Sequence, residues 1–455
     1  MFNKKISKKL LPIAVMSTVI LSGFGSTAAN EAAAAPKQGN NAEIKNVIFL
    51  IGDGMGTSYT SAYRYLKDDP STPYTENTAF DDHLIGMQET YSWDDEESIT
   101  DSAAAATSMA AGIKTYNNAI AVDKNKEEVK TALELAKENG KSTGLVSTSQ
   151  INHATPASFG AHDESRHNYN DIADDYYVEK INGEHKVDVM LGGGTTYFDR
   201  EDRSLIEEFQ KDGFSYVDSR EEMLKDDSAQ VLGLFAPKGM DKMIDRTEET
   251  PSLAEMTSSA IDRLDKNKQG FFLMVEGSQI DWAGHDNDVV SAMSDMEDFE
   301  KAYKEAIEFA KKDKHTVVIT TADHSTGGMA MGRDGEYIWN PEPIKAAKRT
   351  PDFMAQEISD GAEVEETLAK YIDLDLSKDE INSVKKAAAD GTTVEIDNAI
   401  ERIFDLRSGT GWTTGGHTGE DVIVYGYGPQ SQNFAGLHDN HEVGQKVMEL
   451  LGKSK

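Results

Sequence analysis

The sequence predicts an α/β fold, a three-layer sandwich with a central, mostly parallel sheet flanked by helices and a helical insertion near one edge of that sheet. Three observations carry the prediction. Apolar runs such as residues 46–51 and 271–275 are continuous rather than alternating, which marks strands buried on both faces. Helix-like stretches separate the runs, so consecutive strands cross over and run parallel. Several runs end in glycines mixed with Asp, Glu or His, at the strand ends where open α/β sheets place their sites.

The elements follow in order. Residues 1–35 begin with Lys4, Lys5, Lys8 and Lys9, continue through a mostly apolar stretch at 10–24 and end in small residues. This reads as a secretory signal cleaved after Ala29 or Ala35. A membrane anchor fits less well, because the apolar run is short, is broken by Pro12 and is followed by no basic cluster. Residues 46–51 form a strand that runs into Gly52-Asp53-Gly54-Met55-Gly56. A helix is expected over 127–138, stopped by Asn139-Gly140, then a strand over 142–147 and a loop over 148–162. A strand at 187–191 ends in three glycines and precedes a helix at 203–211. Helical spacing over 253–266, a strand at 271–275, a long helix at 289–312 and a strand at 316–320 follow. A strand at 422–425 and a closing helix at 441–451 complete the series. Residues 337–407 break the rhythm with acidic, Ala-rich sequence and read as an insertion, either surface decoration or a lid or subunit contact, with a homodimer as the candidate assembly. No linker interrupts the alternation, so residues 36–455 are expected to form a single domain.

Composition narrows the chemistry. The 455 residues contain no cysteine, which removes disulfides, thiol catalysis and a lipid-acceptor cysteine. A net charge of −34 repels nucleic acid and anionic membranes. An anionic ligand must therefore be drawn by local cations, either arginine or metal.

Thr100-Asp101-Ser102 stands directly before an alanine-rich helical run. A serine there has unpaired backbone N–H groups and the positive dipole end beside its oxygen, which suits a nucleophile and an anionic substrate. Most capping serines catalyse nothing, so the rest of the chain decides. Asp53 follows the first strand, Glu276 ends another, Asp281 and His285 are four apart, Asp323-His324 follows a third strand, and His417 lies in Gly415-Gly416-His417-Thr418. Mixed Asp/His sets suit zinc and all-oxygen sets suit magnesium. Singly, each has an ordinary structural reading as a turn aspartate or core histidine. Their joint occurrence is what argues for metal.

The order of Gly-Asp-Gly-Met-Gly (52–56), Thr-Asp-Ser-Ala-Ala-Ala (100–105), Ala-Thr-Pro (154–156), Glu-Gly-x-x-Ile-Asp (276–281), Thr-Ala-Asp-His (321–324) and Gly-Gly-His-Thr (415–418) resembles the alkaline phosphatase family over nearly the whole chain beyond the leader. The resemblance implies a secreted, metal-dependent hydrolase of phosphate monoesters that works through a phosphoserine at Ser102. It implies one zinc on Asp281, His285 and His417, and a second on Asp53, Asp323 and His324 with the Ser102 oxygen. A third site, holding magnesium, would use Asp53, Thr155 and Glu276. Arg166 falls where the family clamps phosphate, with Asp101 orienting it. One branch of the family has Asp where His153 stands and Lys where Trp282 stands. His153 therefore alters the surroundings of the third metal, and cobalt or a third zinc becomes an alternative there. The same frame would serve a phosphodiesterase, a sulfatase or a cofactor-independent phosphomutase, but the alanines after Ser102 together with Arg166 favour monoesters. A non-catalytic phosphate binder would have no need of Ser102.

Overall fold

The first apolar run is β1 (Asn46–Gly52), buried along its whole length and paired in parallel on both sides. The computed structural model describes residues 43–452, and the predicted secretory leader at 1–35 lies outside them. A ten-stranded sheet is completed by β2 (Leu84–Glu89), β3 (Ser142–Gln150), β4 (Val189–Gly193), β5 (Ser215–Val217), β6 (Val231–Leu234), β7 (Phe271–Gly277), β8 (Thr316–Ala322), β9 (Val422–Tyr427) and β10 (Gly436–Asp439), in the spatial order β10-β2-β9-β8-β1-β7-β3-β4-β6-β5. Only β9 is reversed, antiparallel to both β8 and β2. The start of β9 therefore lies at the edge where the other strands end, which brings His417 to the same rim as Asp53 and Asp323.

The helices that position the site are α1 (Thr57–Lys67), α2 (Ser102–Ala111), α3 (Ala132–Glu138), α4 (Leu253–Leu264), α5 (Gln279–Asp286), α6 (Val289–Asp313), α7 (Thr393–Ser408) and α8 (Asn440–Leu451). The strand period of two divides β1 between two cores. Ile48 and Leu50 pack with Met256 of α4 and Phe299 of α6. Val47, Phe49 and Ile51 pack with Met109 of α2 and Val443 of α8 on the opposite face. This is the three-layer arrangement predicted.

Four expectations need adjustment. The loop expected over 148–162 holds a helix, Ala154–Gly160, which carries Thr155. The helix expected from 127 begins only at Ala132, because Thr131 and Glu134 form a reciprocal capping box. The residues before it pair backward instead, with the Val129 amide donating to the Ala121 carbonyl at 3.0 Å. Strands β2, β5, β6 and β10 were not anticipated, since they are short or stand near the sheet edges, where a long apolar run is not required. The insertion consists of the helices Glu342–Lys345, Pro351–Ser359, Val364–Tyr371 and Lys378–Asp390 together with α7, between β8 and β9. Its Ile396, Ile400 and Phe404 belong to the same apolar cluster as Val290 and Phe299, so it shares the body's core.

Candidate active site

Sheet register assembles the centre of the site. Gly52 pairs with Ala322 and with Gly277, so the residues leaving β1 and β8, Asp53 and Asp323, emerge side by side next to Glu276 at the end of β7. The chain then turns at Gly54, with φ +70°, where an added Cβ would lie 2.7 Å from the Cα of Asp281. Only glycine lets α5 close this tightly over the turn. The Gly54 amide donates to Asp323 Oδ1 at 3.0 Å.

Two groups of nitrogen and oxygen atoms converge here. His324 Nε2 lies 3.4 Å from Asp53, 3.2 Å from Asp323 Oδ2 and 3.2 Å from the Ser102 hydroxyl, and the four residues are buried. His285 Nε2 and His417 Nε2 are 3.1 Å apart and lie 3.4 Å and 3.6 Å from the Asp281 carboxylate. The far side of each ring fixes its tautomer. His285 Nδ1 lies 2.7 Å from the Gly415 carbonyl and His417 Nδ1 2.8 Å from the Thr100 carbonyl. Carbonyls only accept, so each Nδ1 carries the proton and each Nε2 presents a lone pair. Two lone pairs and a carboxylate facing one another are a cation's donor set, supported from behind as metal-binding imidazoles usually are.

A third group consists of oxygens. Both carboxylate oxygens of Asp53, Oε1 of Glu276 and the Thr155 hydroxyl are buried without a hydrogen-bond partner. Unpartnered buried carboxylates are costly unless a cation meets them. Burial, reinforced by Asp323, Asp281 and Glu276, pushes the Asp53 carboxyl well above the usual carboxylate range. Glu276 is held from behind by Ser147, whose hydroxyl donates to Oε2 at 2.6 Å. His153 brings a ring nitrogen to within 4.8 Å of ligand atoms of Asp53 and Glu276. Burial, with Arg166 beside it, holds this imidazole down to about 3, so it is neutral.

Ser102 is the first residue of α2, a fully buried helix. Asp101 caps it, accepting from the Ala104 amide at 2.9 Å through Oδ1. Its Oδ2 accepts from the Asn118 amide and from Arg166 Nη1, both at 3.0 Å. Arg166 Nη2 lies 3.2 Å from His153 Nε2, and the His153 ring stands edge-on to Trp282 at 5.7 Å. The structure thus gathers Ser102, Asp101, Arg166, Asp53, His153, Thr155, Glu276, Asp281, His285, Asp323, His324 and His417 at one rim. Sequence reasoning passed over Thr326, whose hydroxyl donates to Asp281 at 2.5 Å, along with Ser147 and the Thr100 and Gly415 carbonyls. Backbone carbonyls and a lone threonine carry no sequence signal for such a role.

Comparison with known proteins agrees with this geometry. Residues 44–453 match the sequence model of alkaline phosphatase. The chain is 65% identical over 452 residues to alkaline phosphatase 3 of Bacillus subtilis, covering 98% of each. Its fold matches the cold-active alkaline phosphatase of a psychrophilic Shewanella with a TM-score of 0.85 and 40% identity, over 90% of this chain and 100% of that one. It also matches a His-to-Asp mutant of the TAB5 alkaline phosphatase, described as having Mg bound in the M3 site, with a TM-score of 0.67 and 29% identity, over 91% of this chain and 99% of that one. A family match spanning almost every described residue, a near full-length relative and a donor set built for cations lead to one conclusion: the chain belongs to the alkaline phosphatase family, as a metal-dependent hydrolase of phosphate monoesters.

Proposed function

We propose that hydrolysis proceeds through a phosphoserine on Ser102, with two zinc ions and a third cation at the rim described above. The carrying observation is the Ser102 hydroxyl at the mouth of α2, 3.2 Å from a buried His324 that is itself flanked by Asp53 and Asp323. Asp281, His285 and His417 would hold one zinc, and Asp53, Asp323 and His324 the other, as mixed nitrogen and oxygen sets suit that metal. Asp53, Thr155 and Glu276 offer oxygen only and suit magnesium. The magnesium in the M3 site of the TAB5 mutant supports this choice, and His153 leaves cobalt or zinc as alternatives.

Zinc ions held by these two sets would supply Lewis acidity to the phosphoryl group. The chain's own residues do the rest. Ser102 Oγ attacks phosphorus as the bond to the ester oxygen breaks, and the alcohol leaves with a proton. Water then attacks the phosphoserine, the Oγ–P bond breaks, and phosphate departs with Ser102 restored. The α2 N-terminus directs its free N–H groups and dipole at the growing negative charge. Arg166, held by Asp101 and His153 through one N–H on each terminal nitrogen, keeps its remaining N–H groups for a forked contact with two phosphoryl oxygens. His153, with Nε2 3.2 Å from Arg166 and Nδ1 buried without a partner, would stand beside the third cation together with Asp53 and Glu276. No helix among the described residues is long and apolar enough to cross a membrane. The leader-like residues 1–35 support export of the chain.

Acid quenching during turnover of a radiolabelled aryl phosphate tests the reading. Label should appear on the peptide containing Ser102, and Ser102→Ala should abolish it while elemental analysis still finds two zinc ions per chain. Label on any other residue would overturn the assignment.

A further inference from the structure

A second group of acids lies where the helical insertion meets the body of the chain. Asp286 ends α5, and Asp397 and Glu401 stand one turn apart on α7. One carboxylate oxygen from each lies within 4.8 Å of the others. Asp397 and Glu401 are only 3% and 5% exposed, yet Asp397 Oδ1 and Glu401 Oε1 have no hydrogen-bond partner among the described residues. Like charges four apart on a helix repel, and buried unpartnered carboxylates cost several kcal/mol or else take up protons, by the ~2–7 kcal/mol scale for unpaired buried polar groups.

The surroundings deepen the imbalance. Asp288, Asp352 and Asp405 add negative charge to the same region. Facing it are Lys242 and, beside Asp286, His285. The Lys242 ammonium donates to the Gln279 carbonyl at 3.1 Å. Burial, followed by the neighbouring acids, pushes the Asp397 carboxyl up to about 9 and that of Glu401 up to about 11. The C-terminus of α5 adds the negative end of its dipole. An open cavity of about 520 Å³, lined by Asn287, Glu401, Asp405 and Trp412 among others, connects Glu401 with solvent.

We infer that Asp286, Asp397 and Glu401 form a binding site for a hard divalent cation of the calcium class, distinct from the rim that carries Ser102. The donors are all carboxylate oxygen, with no imidazole to favour zinc. Three convergent carboxylates on two separate helices suit the flexible, carboxylate-rich shell of calcium better than the strict octahedron of magnesium, which keeps most of its waters. Such an ion would pin α7 of the insertion to α5, the helix that presents Asp281 and His285. It would act as a structural staple whose loss loosens the insertion first.

The test uses the full chain with zinc and magnesium held saturating. Terbium should bind and emit when tryptophan is excited, because Trp412 lines the cavity, and calcium should displace it. Calcium should also raise the midpoint of thermal unfolding. The paired change Asp397→Asn and Glu401→Gln keeps shape and removes charge, so it should abolish the terbium signal and the calcium response while leaving the calcium-free protein at least as stable as the parent. Asp397→Asn alone should weaken calcium binding at least tenfold. An undiminished calcium response in either variant would overturn the proposal, as would no response in the parent or an equal response to added magnesium.

Discussion

Thr326→Val removes one buried hydroxyl and should cost the protein one to two decades of zinc affinity. Thr326 donates to Asp281 Oδ1 at 2.5 Å and lies 3.2 Å from His324 Nδ1, so it supports a residue of each proposed zinc set. Its backbone is held independently, as Tyr59 Oη donates to its carbonyl at 2.7 Å and its amide donates to the Gly54 carbonyl at 3.3 Å. Valine keeps the volume and the β-branch, and the loop stays in place. The Asp281 carboxylate then loses a charge-assisted hydrogen bond of about 1.5–3 kcal/mol, which at about 1.4 kcal/mol per decade is roughly 10–150-fold. The Nδ1 proton of His324 is stranded as well, in a fully buried position. Second-sphere partners of metal ligands are generally worth about 10–100-fold in affinity, so the two routes agree. Competition against a chelator of known strength should show the weakened binding, and excess zinc should restore most turnover. Unchanged zinc affinity in a folded Thr326→Val protein would refute the claim that this hydroxyl holds the ligands in place.

Asp188→Ala should destabilise the fold by about 3–5 kcal/mol in denaturant unfolding, because it strands the buried Lys137 ammonium that Asp188 accepts from at 2.8 and 3.0 Å. A loss below about 1 kcal/mol would mean that Glu184, 3.5 Å away, takes over the pairing. Asp175 has its carboxyl pushed up from 3.8 to about 6 by burial and then by Glu179. The folded state therefore holds this proton more tightly than the unfolded chain, and stability falls as pH rises from about 4 to about 6. Asp175→Asn should raise the unfolding midpoint at pH 7–8 and leave it little changed at pH 4, and a gain of equal size at both would discard the electrostatic explanation. His153→Asp with Trp282→Lys places an acid beside Arg166 and a cation in the position of the indole that stands against His153. The pair should tighten magnesium binding and strengthen inhibition by phosphate, and identical values for both constants would show that neither position governs the third site.

The fold class was legible because its main signal is local. Runs such as residues 47–51 and 271–275 are apolar on successive positions, which only a strand covered on both faces tolerates, and β1 and β7 are indeed wholly buried. The ligand-type residues were legible for a related reason. Asp53, Glu276, Asp323 and His324 sit at or just past the ends of such strands, where the backbone turns and polar side chains gather. The start of α3 was misjudged because the Thr131–Glu134 capping box outweighs the helix-forming residues before it.

The amino-acid sequence thus determined which residue types are available and which end of the sheet displays them, since both follow from short-range periodicity and turn chemistry. Only the tertiary structure decided which side chains meet. The register of β1 against β7 and β8 sets Asp53 beside Asp323 and Glu276, and the reversal of β9 carries His417 to that rim. It likewise chose the Thr100 and Gly415 carbonyls as imidazole partners and brought Asp286 against Asp397 and Glu401 across more than a hundred residues. These meetings depend on strand order and helix packing, through-space relations that no local pattern encodes.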